Sequence, residues 1–162
     1  LTRADFRTRV TLHRQEGINK RKGHDKKHIS EYAFDEIKRN CESVVKYMLF
    51  SEETILTDKI SGNPQFISQF QQNVPRDSKK RSLKDFNLKT RIFEYPLSYM
   101  IYTDQFNTIP ELAKEYIYKR LFEVLSGKDK SDDFKHLNNE MKNNILEILR
   151  ETKKDLPEYW NQ

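Results

Sequence analysis

The chain has 162 residues, of which 35% are apolar and 34% charged, with a net charge of +5 and one cysteine. That length fits one domain, or one domain with an arm. The lone Cys41 excludes an internal disulfide scaffold, the four glycines and five prolines argue against an all-β fold built on many tight turns, and no run approaches the about 18 apolar residues of a membrane span.

Aliphatic residues are few, but ten Phe, eight Tyr and one Trp supply the bulk for a core. From the N-terminus, TRADFRTRVTLHRQ (2–15) fits a helix in which Phe6, Val10 and His13 share one face, expected to point inward, with arginines opposite. GINKRKGHDKK (17–27) breaks that pattern and reads as a basic loop. Ser30 is placed to cap a long helix over 31–50 whose apolar stripe is Ile37, Cys41, Val44, Val45 and Met48.

SEETILTDKISGN (51–63) is a connector. Pro64 suits the first position of a short helix to about Gln72, with Phe66, Ile67 and Phe70 on its buried side. A further helix is expected from Ser82, with Leu83 and Phe86 inward. Another begins at Pro96, and Tyr95, Tyr99, Tyr102 and Phe106 follow one helical face. TIPE (108–111) is a capping-box signature with Thr108 at N-cap, opening a helix to about Ser126 that Gly127 closes. Its apolar face runs through Ala113, Ile117, Leu121 and Val124. A cap at Asn138 or Asn139 starts a last helix to about Thr152, with Met141, Ile145, Ile148 and Leu149 inward, and Trp160 is expected to fold back onto the body. These elements define an all-α fold, an irregular bundle of about six or seven helices. Residues 1–29 form an N-terminal helix and basic loop, and residues 30–162 a compact helical domain.

The positive charge lies in two islands. Residues 1–50 carry twelve Lys/Arg against seven Asp/Glu, and residues 76–91 carry seven against two. Within the second, Arg76, Asp77, Arg81, Asp85 and Arg91 form a cluster whose guanidinium forks suit carboxylates, loop carbonyls or a bound anion. It reads as a loop locked by its own ion pairs, with an anion site as the alternative. Nucleic-acid binding through these residues or through the Lys20–Lys27 run is disfavoured. The basic residues alternate with acids, the aromatics follow core spacing, and no helix-turn-helix, zinc-finger or RNP pattern is present.

Metal and nucleophile signals are weak. His24 and His28 stand at i, i+4, a spacing that binds metals on a helix, but Lys22, Lys26 and Lys27 crowd them with positive charge. No metal site is assigned. His13 is either a hydrogen-bonded, half-buried histidine or a candidate axial ligand to haem. The chain lacks CxxCH, so that motif cannot attach a c-type haem here. Cys41 reads as a small core residue, Ser98 lacks a nucleophile elbow, and no glycine loop for phosphate occurs. No catalytic residue is assigned.

The run PRDSKKRSLKDFNLKTRIFEYPLSYMIY (75–102), the helix LAKEYIYKRLFEVLSG (112–127) and the segment HLNNEMKNNILEILRETKKDLPEYW (136–160) resemble the C-terminal region of a family of uncharacterised exported bacterial proteins. LTRADFRTRVTLHRQ and VVKYMLFSEETILTDKISGNPQF fit the same pattern, so the resemblance covers most of the chain. The sequence departs from it at Leu97, where the family often has Cys, and at Asn87, where it often has Asp. The resemblance implies a periplasmic or otherwise exported protein that extends upstream of Leu1, with c-type cytochrome-like regions in some members. The chain is then expected to be a C-terminal structural or partner-binding domain packed on its own upstream region. The alternatives are a haem-associated domain using His13, and anion or nucleic-acid binding through the basic islands.

Overall fold

The computed structural model describes residues 1–161. Among these, six α-helices account for most of the ordered backbone: α1 (Thr2–Lys22), α2 (Glu31–Met48), α3 (Pro64–Phe70), α4 (Asp104–Asn107), α5 (Glu111–Leu125) and α6 (Asn139–Thr152). Short 3-10 turns lie at Tyr99–Tyr102, Asp132–Phe134 and Glu158–Asn161. The fold is all-α, and the described residues hold a single isolated β-bridge, Phe86 to Phe93. The chain divides into two compact units, one of Leu1–Val45 with Met100–Arg120, the other of Lys46–Tyr99 with Leu121 onward.

In the first unit α1 is longer than its hydrophobic spacing predicts. It runs through Gly17 and the basic stretch to Lys22, where Gly23 stops it in the left-handed conformation at φ 67°. Its orientation corrects the sequence expectation. Phe6 is 66% exposed and Val10 40%, while Ala4, Thr8, Thr11, Gln15 and Asn19 are buried. His13 is exposed with Phe6 and Val10.

The polar stripe is tolerated because part of it is hydrogen-bonded. Gln15 Nε2 donates to Asn19 Oδ1 at 2.7 Å, Ser30 Oγ donates to Gln15 Oε1 at 2.6 Å, and Asn19 Nδ2 donates to the His28 carbonyl at 2.7 Å. These bonds fold the 23–30 segment back onto α1. Ser30 also caps α2 by accepting from the Ala33 N–H at 3.3 Å. Ile37, Cys41, Val44 and Val45 of α2 are buried as their spacing requires, as are Ala113 and Ile117 of α5.

Two local expectations fail in this unit. The tyrosine run does not form one helix. The backbone makes a 3-10 turn, breaks at Thr103, and restarts as α4 under a Thr103 cap. Breaking there buries Ile101 and Phe106 and leaves Tyr102 half-buried. The capping box at TIPE is also not built as written. The Thr108 hydroxyl donates backward to the Asp104 carbonyl at 2.9 Å, and the Pro110 carbonyl opens the α5 ladder by accepting from Lys114 N–H. A preceding helix one turn away competes for the same hydroxyl.

In the second unit α6 behaves as predicted. Asn138 caps it through Met141 N–H at 2.8 Å, and Ile145, Ile148 and Leu149 are fully buried. Trp160 does fold back, buried against the Phe122 ring at 5.4 Å. The helix expected from Ser82 is absent. Residues 85–94 instead form a short hairpin, with Glu94 N–H donating to Asp85 and Asn87 N–H to Ile92. Leu88 takes φ 57° at its turn. Asn87 explains the preference, because its side chain accepts from the N–H groups of Lys89 and Thr90 and closes the turn locally. Phe86 and Phe93 then stack at 5.5 Å and pack on Phe70 and Tyr99.

Candidate functional site

The Arg/Asp cluster lies in the second unit, on the loop before the hairpin. Arg81 is its centre. Its Nη2 pairs with Asp77 and Glu147, each at 2.6 Å, and its Nη1 donates to Asn144 Oδ1 at 2.7 Å. Asp77 is buried, and its carboxylate also accepts the Arg81 backbone N–H at 2.8 Å. Lys79 joins Glu147 at 2.7 Å, and Ser78 donates both its N–H and its hydroxyl to Glu151. Arg76 pairs with Asp85 at 3.0 Å. Arg91 stands apart from this group, its guanidinium 3.8 Å from the Met141 sulfur.

The electrostatics follow from the geometry. Burial pushes the Asp77 carboxyl upward, but the hydrogen bonds and charge of Arg81 outweigh it and hold the carboxyl below its usual range. Glu147 is lowered by its hydrogen bonds to Lys79 and Arg81. Burial alone would lower Arg81, yet Asp77 and Glu147 raise it. Arg76, Lys79 and Arg81 each face a carboxylate, so the part of this basic island around Arg81 is neutralised in place. Its work is to fasten the 76–85 loop to α6. The partners Asn144, Glu147 and Glu151 were missed in the sequence because they lie more than 60 residues away. The available signal was their i, i+3, i+7 spacing, which puts all three on one polar flank of α6 beside Ile148.

In the first unit, Cys41 is buried within 4.0 Å of the Ala113 carbonyl. Burial, with help from the charge of Glu42, pushes its thiol up to about 12, so it stays protonated and unreactive at neutral pH. Glu42 accepts from Tyr116 and from Arg120, each at 2.6 Å. Burial first, then Glu42, raises the Tyr116 hydroxyl, which therefore acts as a fixed donor.

His13 lines a cleft of about 670 Å³ beside α1, together with Arg9, Lys26, Lys27 and His28. His24 stacks on His28 at 4.9 Å, and Glu16 pairs with Lys26 at 3.5 Å. Among the described residues no group of three His, Cys, Asp or Glu is placed to hold a metal ion. No described helix is long and apolar enough to cross a membrane.

The fold and these contacts define an all-α protein in which the charges around Arg81 are tied up in structural pairs. No protein-family model matches the chain, and no curated protein or solved structure does.

Proposed function

We propose that this chain is the C-terminal helical domain of a longer exported bacterial protein and works as a partner-binding module. The outer face of α1 is the surface that meets the partner. The observation carrying this reading is the inversion of α1: Phe6 and Val10 lie exposed while threonines and carboxamides are buried beneath them. Arg3, Lys20 and Arg21 are exposed on the same side as Phe6 and Val10, against the expectation of arginines opposite them, so the face suits a partner surface with an apolar centre ringed by acids. The resemblance to exported proteins that extend upstream supports placing that partner surface in the parent's own preceding region.

Phe6→Ser with Val10→Ser should leave the isolated chain's stability within about 0.5 kcal/mol, because neither side chain is in the core. In the parent protein, the same pair should release α1, read as faster hydrogen exchange over residues 2–15. Equal exchange over these residues in parent and isolated chain would defeat the proposal.

Two other readings attach to α1. Haem association rests on the exposure of His13 on the covered face, where an upstream haem-bearing region would meet its imidazole. A Soret band in the parent that shifts in His13→Ala supports this, and an unchanged band removes His13. Anion binding is favoured by the basic lining of the neighbouring cleft, and it requires phosphate affinity that falls steeply with salt.

A further inference from the structure

The second unit holds a cleft of opposite character. It encloses about 330 Å³ and is walled by Tyr47, Phe50, Phe93 and Ile92, with Ser51, Glu52 and Glu53 at its polar end. That volume is within the roughly 300–1,000 Å³ range of small-molecule sites. In a chain of net charge +5, neither Lys nor Arg is among its lining residues.

Three independent features mark it as built. First, α2 ends with Ser51 N–H donating to the Lys46 carbonyl and Phe50 N–H to that of Tyr47. This paired pattern normally places glycine in the left-handed position, yet Phe50 occupies it at φ 53°. A bulky side chain there costs about 1–2 kcal/mol. The ring gained by that cost stacks on Phe93 at 6.0 Å and forms one wall. Second, the Ser51 hydroxyl is shielded from solvent and has no hydrogen-bond partner, a state that costs about 1–3 kcal/mol. Third, Glu53 is held in place by the Ile92 N–H, which donates to its Oε1 at 3.3 Å, and Glu52 is exposed beside it. Tyr47, 73% exposed, and Ile92, 44% exposed, leave the apolar rim open.

We infer that this cleft binds a small organic cation, a primary ammonium group carried on an apolar body. Aromatic faces attract a cation through their quadrupoles. The carboxylates of Glu52 and Glu53 supply charge and hydrogen-bond acceptors. A change of rotamer that swings the unpartnered Ser51 hydroxyl toward the cleft lets its oxygen accept the remaining N–H. The apolar body lies against Phe93 and Ile92.

The probe is n-butylammonium chloride, titrated into the full chain and followed by amide and aromatic NMR shifts, with sodium chloride as the ionic-strength control. Saturable shifts at Phe50, Ser51, Glu53 and Phe93, with a millimolar dissociation constant, are expected. Tetramethylammonium, which cannot donate to Ser51 or Glu53, should bind several-fold more weakly, and neutral 1-pentanol more weakly again. Glu53→Gln should cut affinity several-fold. Phe50→Gly removes the wall while relieving the backbone strain, so it should abolish binding in a chain that still folds. If sodium chloride reproduces the shifts, if pentanol binds equally well, or if folded Phe50→Gly binds as the parent chain does, the inference is wrong.

Discussion

Helices α1 and α6 have similar surroundings in the sequence, each rich in charge, yet one buries a polar stripe and the other an apolar one. In α6 the apolar residues Ile145, Ile148 and Leu149 repeat at three and four, and all are fully buried. In α1 the apolar residues with that spacing are only Phe6 and Val10, and the opposite face offers Ala4, Thr8, Thr11, Gln15 and Asn19. Small and hydrogen-bonding side chains permit close approach of backbone, and the Gln15–Asn19–Ser30 bonds return part of the desolvation cost. A helix with two apolar residues on a face is therefore not oriented by them alone. One with three or four is.

This contrast can be broken most sharply in α6. Ile148→Ala should cost on the order of 2–5 kcal/mol, since it leaves a cavity in a fully buried site. Chemical denaturation measures it, and a loss under 1 kcal/mol would mean that α6 is not the anchor of its unit.

Next in size is the bond network fastening the 76–85 loop to α6. Arg81→Met should cost about 3 kcal/mol, because it strands the buried Asp77 carboxylate. The same pair predicts a pH dependence. The folded carboxyl of Asp77 is lowered relative to the unfolded chain, so its contribution is complete above the unfolded value and lost as pH falls through the folded one. Glu147 acts in the same direction. Acid titration of stability should therefore be shallower in Arg81→Met than in the parent chain. Identical slopes would exclude Arg81 as the cause.

The smallest effect should come from α1, and with the opposite sign. Thr8 and Thr11 have shielded hydroxyls without hydrogen-bond partners. Thr8→Val keeps the shape and removes the unsatisfied group, so it should stabilise by about 1 kcal/mol. A destabilisation of that size would show that the hydroxyl carries a needed contact, and that the polar stripe is held by more than the Gln15–Asn19–Ser30 bonds.

The sequence read best where many weak signals agreed. The all-α class, the Ile37–Cys41–Val44–Val45 stripe, the Asn138 cap, the Gly127 stop and the return of Trp160 all follow from spacing and end chemistry. It read worst where two local solutions had similar energy. Residues 82–94 carry helical spacing, but Asn87 closes a turn and Phe86 pairs with Phe93. Thr108 could cap forward and instead donates backward.

Of the candidate groups, the Arg/Asp residues were visible as a cluster, but their carboxylate partners on α6 were not. The cleft at Phe50 was invisible. Its walls come from residues 47–53 and 92–93, and the left-handed Phe50 contradicts the expectation that glycine ends a helix.

By itself, then, the sequence determined the all-α class and the buried aliphatic stripes of α2, α5 and α6, since periodicity and caps are local properties. Tertiary structure decided which way α1 turned, which charges were neutralised around Arg81 and which rings and carboxylates came to line one cleft. Those outcomes depend on partners distant in the chain, and local spacing carries no information about distance in space.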